Sequence, residues 1–232
     1  MRVFVFDTET TGLPETRVIN PDALHLWPHI VQFSYIIYDT ELNEIVECKN
    51  YIIQLKEGIV ISEGSINIHG ITNEISKERG IPIEEVINEF FFYLRNSDVL
   101  VGHNISFDIN MVKIELLRMI YLHKKHFSSE EIKEIKWNLH YFSNYKKIYC
   151  TLQETIDLCA IQAVNKSGKS YFKYPKLIEL HQKLFDTQPI GLHNSLNDIL
   201  VTLRCYTKLT ENKDLMEHCT TFKELSEEIG LY

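Results

Sequence analysis

The first hundred residues alternate short apolar runs with polar breaks, and a helical period takes over after that. Arg2 to Phe6 is an apolar, β-branched and aromatic run of strand type. Ile30 to Tyr38 and Ile45 to Leu55 read as two longer strands, and the polar segment Asp39 to Glu44 between them is of hairpin length. An opening antiparallel meander of three strands follows. Residues 14–28, with Pro14, Pro21 and Pro28, read as a polar loop. Pro82 is placed as the first residue of a helix, and Ile83, Val86, Ile87, Phe90, Phe91 and Leu94 form one apolar stripe along it. That helix leads into Val99–Val101, a right-handed crossover that would lay this strand parallel to the first.

A helix begun near Ser106 continues through Met111, Ile114 and Leu117. Thr151 to Glu154 reads as a capping box for a helix carrying Thr155, Ile156, Cys159, Ala160 and Val164 on one face. Pro175 opens a short helix with Leu177, Leu180 and Leu184, and a last core helix turns Leu196, Ile199, Leu200, Leu203 and Tyr206 inward. The expectation is one α/β domain over 1–232, with a mixed sheet flanked by helices and a short C-terminal helix at about 221–232. Residues 122–148 stand apart, with lysines among aromatics around a helix at Ser129–Trp137. They read as an insertion, more a solvated decoration than a partner surface.

Composition narrows the class. Hydrophobic residues make up 44% and charged residues 24%, ordinary for a globular chain. No apolar run approaches the roughly 18 residues of a membrane span, and because Met1-Arg2 leads straight into a strand no targeting peptide is expected. Five cysteines without a CxxC pair read as reduced thiols, so the expected location is intracellular, in cytoplasm or nucleus. The net charge of −8 argues against broad, non-specific duplex binding. It does not exclude local contact with a few nucleotides, because carboxylates gathered in one site would account for much of it.

Three places concentrate such carboxylates. Asp7 and Glu9 end the first strand at positions i and i+2, so they project from one face. Two like charges that close are costly unless a cation sits between them; a solvated surface pair is the plain alternative. Asp108 follows the second short strand, in Gly102-His103-Asn104-Ile105-Ser106-Phe107-Asp108. Asp198 opens the last helix, in His193-Asn194-Ser195-Leu196-Asn197-Asp198. Ser195 to Asp198 also reads as a helix capping box, and an isolated loop histidine is ordinarily just solvated.

In this order, FDTETTG, GHNxxFD and HNxxxD resemble the three motifs of the DEDDh 3′→5′ exonucleases, the DnaQ-like branch of the RNase H-like superfamily. The resemblance runs from about residue 1 to about residue 210. It implies an RNase H-like fold and a site holding two Mg²⁺ or Mn²⁺ ions. Asp7 would bridge both ions, Glu9 and Asp198 would complete the one that activates water, and Asp108 would serve the other. His193, five residues before Asp198, would be the general base; the sister branch's tyrosine position is Asn194 here, which cannot do that work. Thr8, Thr10, Thr11 and Leu13 would line the terminal nucleotide's pocket. His69, in His69-Gly70-Ile71-Thr72, would join them with Asn104 and Phe107.

Lys166 to Lys176 interleaves lysines with aromatics, a combination that holds single strands, and Lys169 and Tyr171 are the candidate contacts there. The expected activity is hydrolysis of single-stranded or frayed 3′ ends to nucleoside 5′-monophosphates, with DNA favoured over RNA. The expected partners are those single-stranded DNA or RNA 3′ ends, and a polymerase or other replication or repair protein. The alternatives are an exoribonuclease of oligoribonuclease or RNase T type, a proofreading subunit beside a polymerase, and a non-catalytic binding scaffold. The threonines do not discriminate DNA from RNA, since ribose selection depends on pocket shape around the 2′-hydroxyl.

Overall fold

Both faces of the first strand are buried, and that fixes the architecture. In the computed structural model, which describes residues 1–232, β1 (Arg2–Thr10) is the middle strand of a five-stranded sheet ordered β3-β2-β1-β4-β5. β2 (Ile30–Asp39) pairs antiparallel with β1, and β3 (Glu44–Ile52) pairs antiparallel with β2. α1 (Glu63–His69), α2 (Asn73–Arg79) and α3 (Ile83–Leu94) lead to β4 (Val99–Gly102), which runs parallel to β1. α4 (Ile105–Tyr121) and α5 (Ser129–Ser143) precede β5 (Ile148–Cys150), parallel to β4. The one-turn helices α6 (Thr151–Glu154) and α7 (Ile156–Cys159) come next, followed by a hairpin of β6 (Gln162–Val164) and β7 (Ser170–Phe172). α8 (Leu177–Phe185), α9 (Ser195–Glu211), α10 (Leu215–His218) and α11 (Thr220–Glu228) complete the chain. No helix is long and apolar enough to cross a membrane.

The period of two along β1 divides the interior into two cores. Phe4 and Phe6 face the α3–α4–α5 side, where Phe33, Tyr35, Phe90, Phe91 and Phe142 join them. Phe90 is the hub of that cluster, meeting Phe4 edge-on at 5.2 Å and Phe33 at 5.2 Å between ring centroids, the geometry aromatic rings prefer. Val3 and Val5 face the other way, onto Leu180, Ile199, Leu203 and Phe222. The apolar strand is therefore held from above and below, and it delivers its C-terminal end to a fixed point.

Several expectations need correction. The mixed sheet, the meander and the parallel fourth strand are as the pattern indicates, but β3 stops at Ile52 and Pro82 stands at the N-cap of α3. The 14–28 loop contains a 3₁₀ turn, Pro21–Leu26, with Leu24 and Trp27 buried. Residues 122–148 are no mere decoration: α5 packs Ile132, Ile135 and Phe142 into the first core. The expected helix over 151–164 is broken at Thr155, whose hydroxyl turns back to donate to the Thr151 carbonyl at 2.6 Å, and ends at Ala160 in left-handed backbone. Val164 then lies on a strand.

Arg118 shows how the proline-rich loop is fixed. Buried on α4, it donates to the carbonyls of Pro28 (2.9 Å), Leu24 (3.0 Å) and Trp27 (2.6 Å), and pairs with buried Glu115 at 2.6 Å. Removing the guanidinium would take the side-chain donor from three carbonyls and the cationic partner from the buried Glu115 carboxylate. Arg118→Ala is expected to lower unfolding free energy by about 3–5 kcal/mol in a denaturant titration. A loss under about 1 kcal/mol would mean the loop is held by something else.

Candidate active site

Asp7 and Glu9 extend the Val3–Val5 face of β1 beyond the apolar stretch, so they emerge on the α9 side of the sheet. Asp198, in the first turn of α9, meets them there: the carboxylate oxygens of Asp7, Glu9 and Asp198 all lie within 4.8 Å of one another. Thr8 points to the opposite face, and Asp108 waits on that side. Its Oδ1 accepts from the Thr8 amide at 2.9 Å and the Thr8 hydroxyl at 2.7 Å. Thus three of the four predicted carboxylates form one group, and the fourth stands beside it, locked to the strand between Asp7 and Glu9. The turn into α4 is tight enough that a Cβ on Gly102 would come 2.9 Å from the Cβ of Ile105.

The electrostatics are those of crowded acids. Burial, then Asp108, Asp198 and Glu9, push Asp7 far above the usual carboxylate range. Burial, then Asp198 and Asp108, push Glu9 up to about 8. Burial raises Asp108 to about 7 against the opposing pull of its Thr8 hydrogen bonds. Burial raises Asp198 to about 7 as well, opposed by the His193 amide. No cation from the protein pairs with any of the four. A set of hard oxygen donors in mutual repulsion suits a divalent cation, and no cysteine or histidine nitrogen belongs to the group.

His193 is exposed on the loop before α9, with φ of 68°, and its amide donates to both Asp198 oxygens at 3.3 Å. It lines a cavity of about 450 Å³ together with Asp7, Asp198, Asn104, Tyr174 and Lys176. The capping-box reading of Ser195–Asp198 gives way to another cap. Asn194 is the N-cap, its Oδ1 accepting from the Leu196 amide at 3.1 Å, which leaves the Asp198 carboxylate to the cluster.

On the other flank of the carboxylates is a second cavity of about 530 Å³. Glu9, Thr8, Thr10, Leu13, His69 and Phe107 line it. Leu13 is 85% exposed at its rim. The Thr10 hydroxyl donates to the Gly12 carbonyl at 2.7 Å. Both His69 nitrogens are engaged: the Ile71 amide donates to Nδ1, so Nε2–H donates to the Thr10 carbonyl at 3.2 Å. Thr11 is not on this wall; it is buried, with its hydroxyl accepting from the His29 amide. Lys169 and Tyr171 line neither cavity, whereas Tyr174 and Lys176, a few residues on, do.

Sequence reasoning missed the layer that sets the spacing between β1 and α9. Gln32, paired in register with Glu9, is buried on β2. Its Oε1 accepts from the Ser195 amide at 3.1 Å, and its Nε2 donates to Asn194 Oδ1 at 3.2 Å and Asn50 Oδ1 at 2.9 Å. The Ser34 hydroxyl donates to Asn50 Oδ1 at 3.0 Å, so the Ser195 hydroxyl is the donor in its 2.6 Å contact with Ser34. The available signal was a glutamine and a serine two apart inside an otherwise apolar strand. His103 was likewise unassigned. Its Nε2–H donates to the Pro175 carbonyl at 3.1 Å while Nδ1 accepts from the Thr151 hydroxyl at 2.9 Å, and burial lowers its pKa to about 4.

Comparison with known proteins places this arrangement in a class. The RNase_T family model, described as Exonuclease, matches residues 4–206, and the chain belongs to this exonuclease family. Among curated proteins it is similar to the DNA polymerase III subunit epsilon of Buchnera aphidicola, 28% identical over 202 residues, which cover 82% of this chain and 70% of that one. The corresponding subunit of Pasteurella multocida is 27% identical over 119 residues, covering 51% of this chain and 43% of that one. The solved exonuclease I of Methylocaldum szegediense superposes with a TM-score of 0.60 at 18% identity, over 93% of this chain and 42% of that one. Exonuclease I of E. coli, in complex with an oligonucleotide, gives 0.60 at 15% identity, again over 93% and 42%. The chain therefore spans well under half the length of these solved chains, and at such identity they establish the fold alone.

Two measurements follow from this geometry. Each site carboxyl has a folded pKa above its unfolded value of about 4, whereas burial lowers His29, His69, His103, His123 and His181, which act in the opposite sense below about pH 6.5. Between about pH 7 and pH 8, where Asp7 and Glu9 dominate, the folded chain binds more protons than the unfolded one. With chelator present, the melting temperature should fall as pH rises from about 7 to about 8; a flat or rising curve over that interval would contradict the crowding. Gln32→Met keeps the volume but removes the side-chain hydrogen bonds to Asn194 and Ser195 at the start of α9. It should raise the Mn²⁺ concentration at half-saturation about tenfold, equivalent to about 1.4 kcal/mol. An equal loss of stability with and without metal, at unchanged half-saturation, would make Gln32 structural only.

Proposed function

We propose that this chain is a metal-dependent 3′→5′ exonuclease that removes nucleotides from single-stranded or frayed DNA ends and releases nucleoside 5′-monophosphates. The observation that carries the reading is the meeting of Asp7, Glu9 and Asp198 within 4.8 Å at the end of a strand buried on both faces, with Asp108 fixed beside them. Asp7, Glu9 and Asp198 would hold the cation site, with Asp108 contributing from the far side of the strand. Mg²⁺ or Mn²⁺, two ions by the family pattern, would neutralise the four carboxylates, ease deprotonation of the attacking water and stabilise charge on the departing oxygen.

This chain's own residues do the rest. His193, in the cavity shared with Asp7 and Asp198, accepts the proton of the water whose oxygen attacks phosphorus. The bond from phosphorus to the upstream 3′ oxygen breaks, and that oxygen takes up a proton from solvent. The terminal nucleotide occupies the cavity of Thr8, Thr10, Leu13, His69 and Phe107, with Leu13 at the rim against a base. Asn104, on the His193 side, lies where the upstream sugar–phosphate would pass. The similarity to epsilon subunits over most of the chain supports DNA as substrate and a polymerase as partner.

The deciding experiment is digestion of matched DNA and RNA oligomers in Mg²⁺ and Mn²⁺ by the wild type and by Asp7→Asn. The wild type should shorten the DNA from its 3′ end, faster than the RNA. Asp7→Asn should lose at least about a thousandfold in rate while its melting temperature in chelator is equal or higher, since one repelling charge is gone. Products bearing 3′-phosphates, or an unchanged rate in the variant, would overturn the assignment.

A further inference from the structure

The β6–β7 hairpin is unlike the rest of the surface. Gln162 pairs with Phe172, Ala163 with Tyr171 and Val164 with Ser170, and neither strand joins the five-stranded sheet. Val164, Tyr171 and Phe172 are exposed, Tyr171 by 49%, and none belongs to a hydrophobic core. A two-stranded hairpin standing alone is marginal in water, so its shape needs a local cause. That cause is Asn165, whose Oδ1 accepts from the Ser167 amide, the Ser167 hydroxyl and the Lys169 amide at 3.0, 2.7 and 2.9 Å, with Gly168 at φ 81° closing the turn. The tip is thereby defined without burying anything.

Charge singles the segment out further. From Gln162 to Lys176 the chain carries Lys166, Lys169, Lys173 and Lys176 and no carboxylate, within a molecule of net charge −8. Lys173 is neutralised by Glu179 at 2.6 Å, while Lys166, Lys169 and Lys176 make no ion pair. Immediately after β7, Tyr174 and Lys176 form a wall of the cavity that holds Asp7, His193 and Asp198. Apart from paired Lys173, the segment thus offers free cations and exposed rings from the hairpin tip to Tyr174 and Lys176, which line the cavity of Asp7, His193 and Asp198 and not the terminal-nucleotide cavity.

We infer that the β6–β7 hairpin is a finger that grips single-stranded nucleic acid upstream of the hydrolysed bond, with phosphates on Lys166 and Lys169, a base on Tyr171, and Tyr174 and Lys176 leading the strand into the cleft. The inference rests on the exonuclease reading for the direction of the strand. Cations with interleaved aromatic faces are the combination that holds single strands irrespective of sequence. The finger makes affinity depend on substrate length: a dinucleotide ends at the cleft, whereas a longer strand reaches the tip.

The test compares wild type, Lys166→Ala/Lys169→Ala and Tyr171→Ala on a (dT)12 strand and on a dTdT dinucleotide. The variants should raise KM on the 12-mer about five- to tenfold with kcat unchanged, and leave dinucleotide kcat/KM within about twofold. The salt dependence of 12-mer binding should flatten by about 1.4 in log–log slope for the double lysine variant, from about 0.7 per phosphate contact. Equal losses on both substrates, or none on either, would overturn the finger, the latter also if the hairpin proves to serve a protein partner. Anisotropy of fluorescein-labelled (dT)12 with EDTA present separates the two readings. If the wild type hydrolyses nothing, the exonuclease reading falls, and weaker or unchanged anisotropy binding by the lysine variant still decides the hairpin.

Discussion

The structure turns on mutual repulsion held in place. Like charges drift apart unless the backbone that carries them cannot yield, and here the carrier is the most confined strand of the molecule. Phe4 and Phe6 are gripped by the aromatic cluster around Phe90, and Val3 and Val5 by α9 and its neighbours. With both faces closed, the end of β1 cannot twist or slip to relieve the crowding of Asp7 and Glu9. Stability gained along the apolar half of the strand offsets the strain at its acidic half, a division of labour common where a site must be ready before its ligand arrives.

The alternation of β1 also explains why the four acids are not equivalent. Asp7 and Glu9 share the α9 face and so meet Asp198; Thr8, between them, reaches through to α4 and ties up one oxygen of Asp108. The cluster is assembled from two sides of one strand rather than from one concave surface. Loops contribute only His193, whose left-handed backbone is braced by the carboxylate it neighbours.

Much of this was legible in the sequence because its signals are local. The strand–acid–acid pattern of β1, the stripe of α3 and the aspartates opening α4 and α9 depend on period and spacing, and the structure has them. What escaped was decided by distant partners. Thr151 looks like a helix cap, yet its hydroxyl belongs to His103 and its helix lasts one turn. Three-residue β5 has no pattern of its own and exists because β4 offers an edge. Trp27 and Leu24 are buried because Arg118, some ninety residues away, gathers their carbonyls. Gln32 reads as a blemish in an apolar strand until Ser195 is seen opposite it.

His103 has a wider consequence. Its two nitrogens join the end of β4, the start of α6 and the carbonyl of Pro175, the residue between Tyr174 and Lys176. A ring that stays neutral down to about pH 4 keeps those three segments joined across the whole neutral and mildly acidic range. The cleft wall is consequently bolted to the sheet rather than hung from a flexible loop, and whatever extends beyond that wall inherits the sheet's orientation. Alterations farther out along the chain can then change reach or grip without disturbing the alignment of the reacting groups.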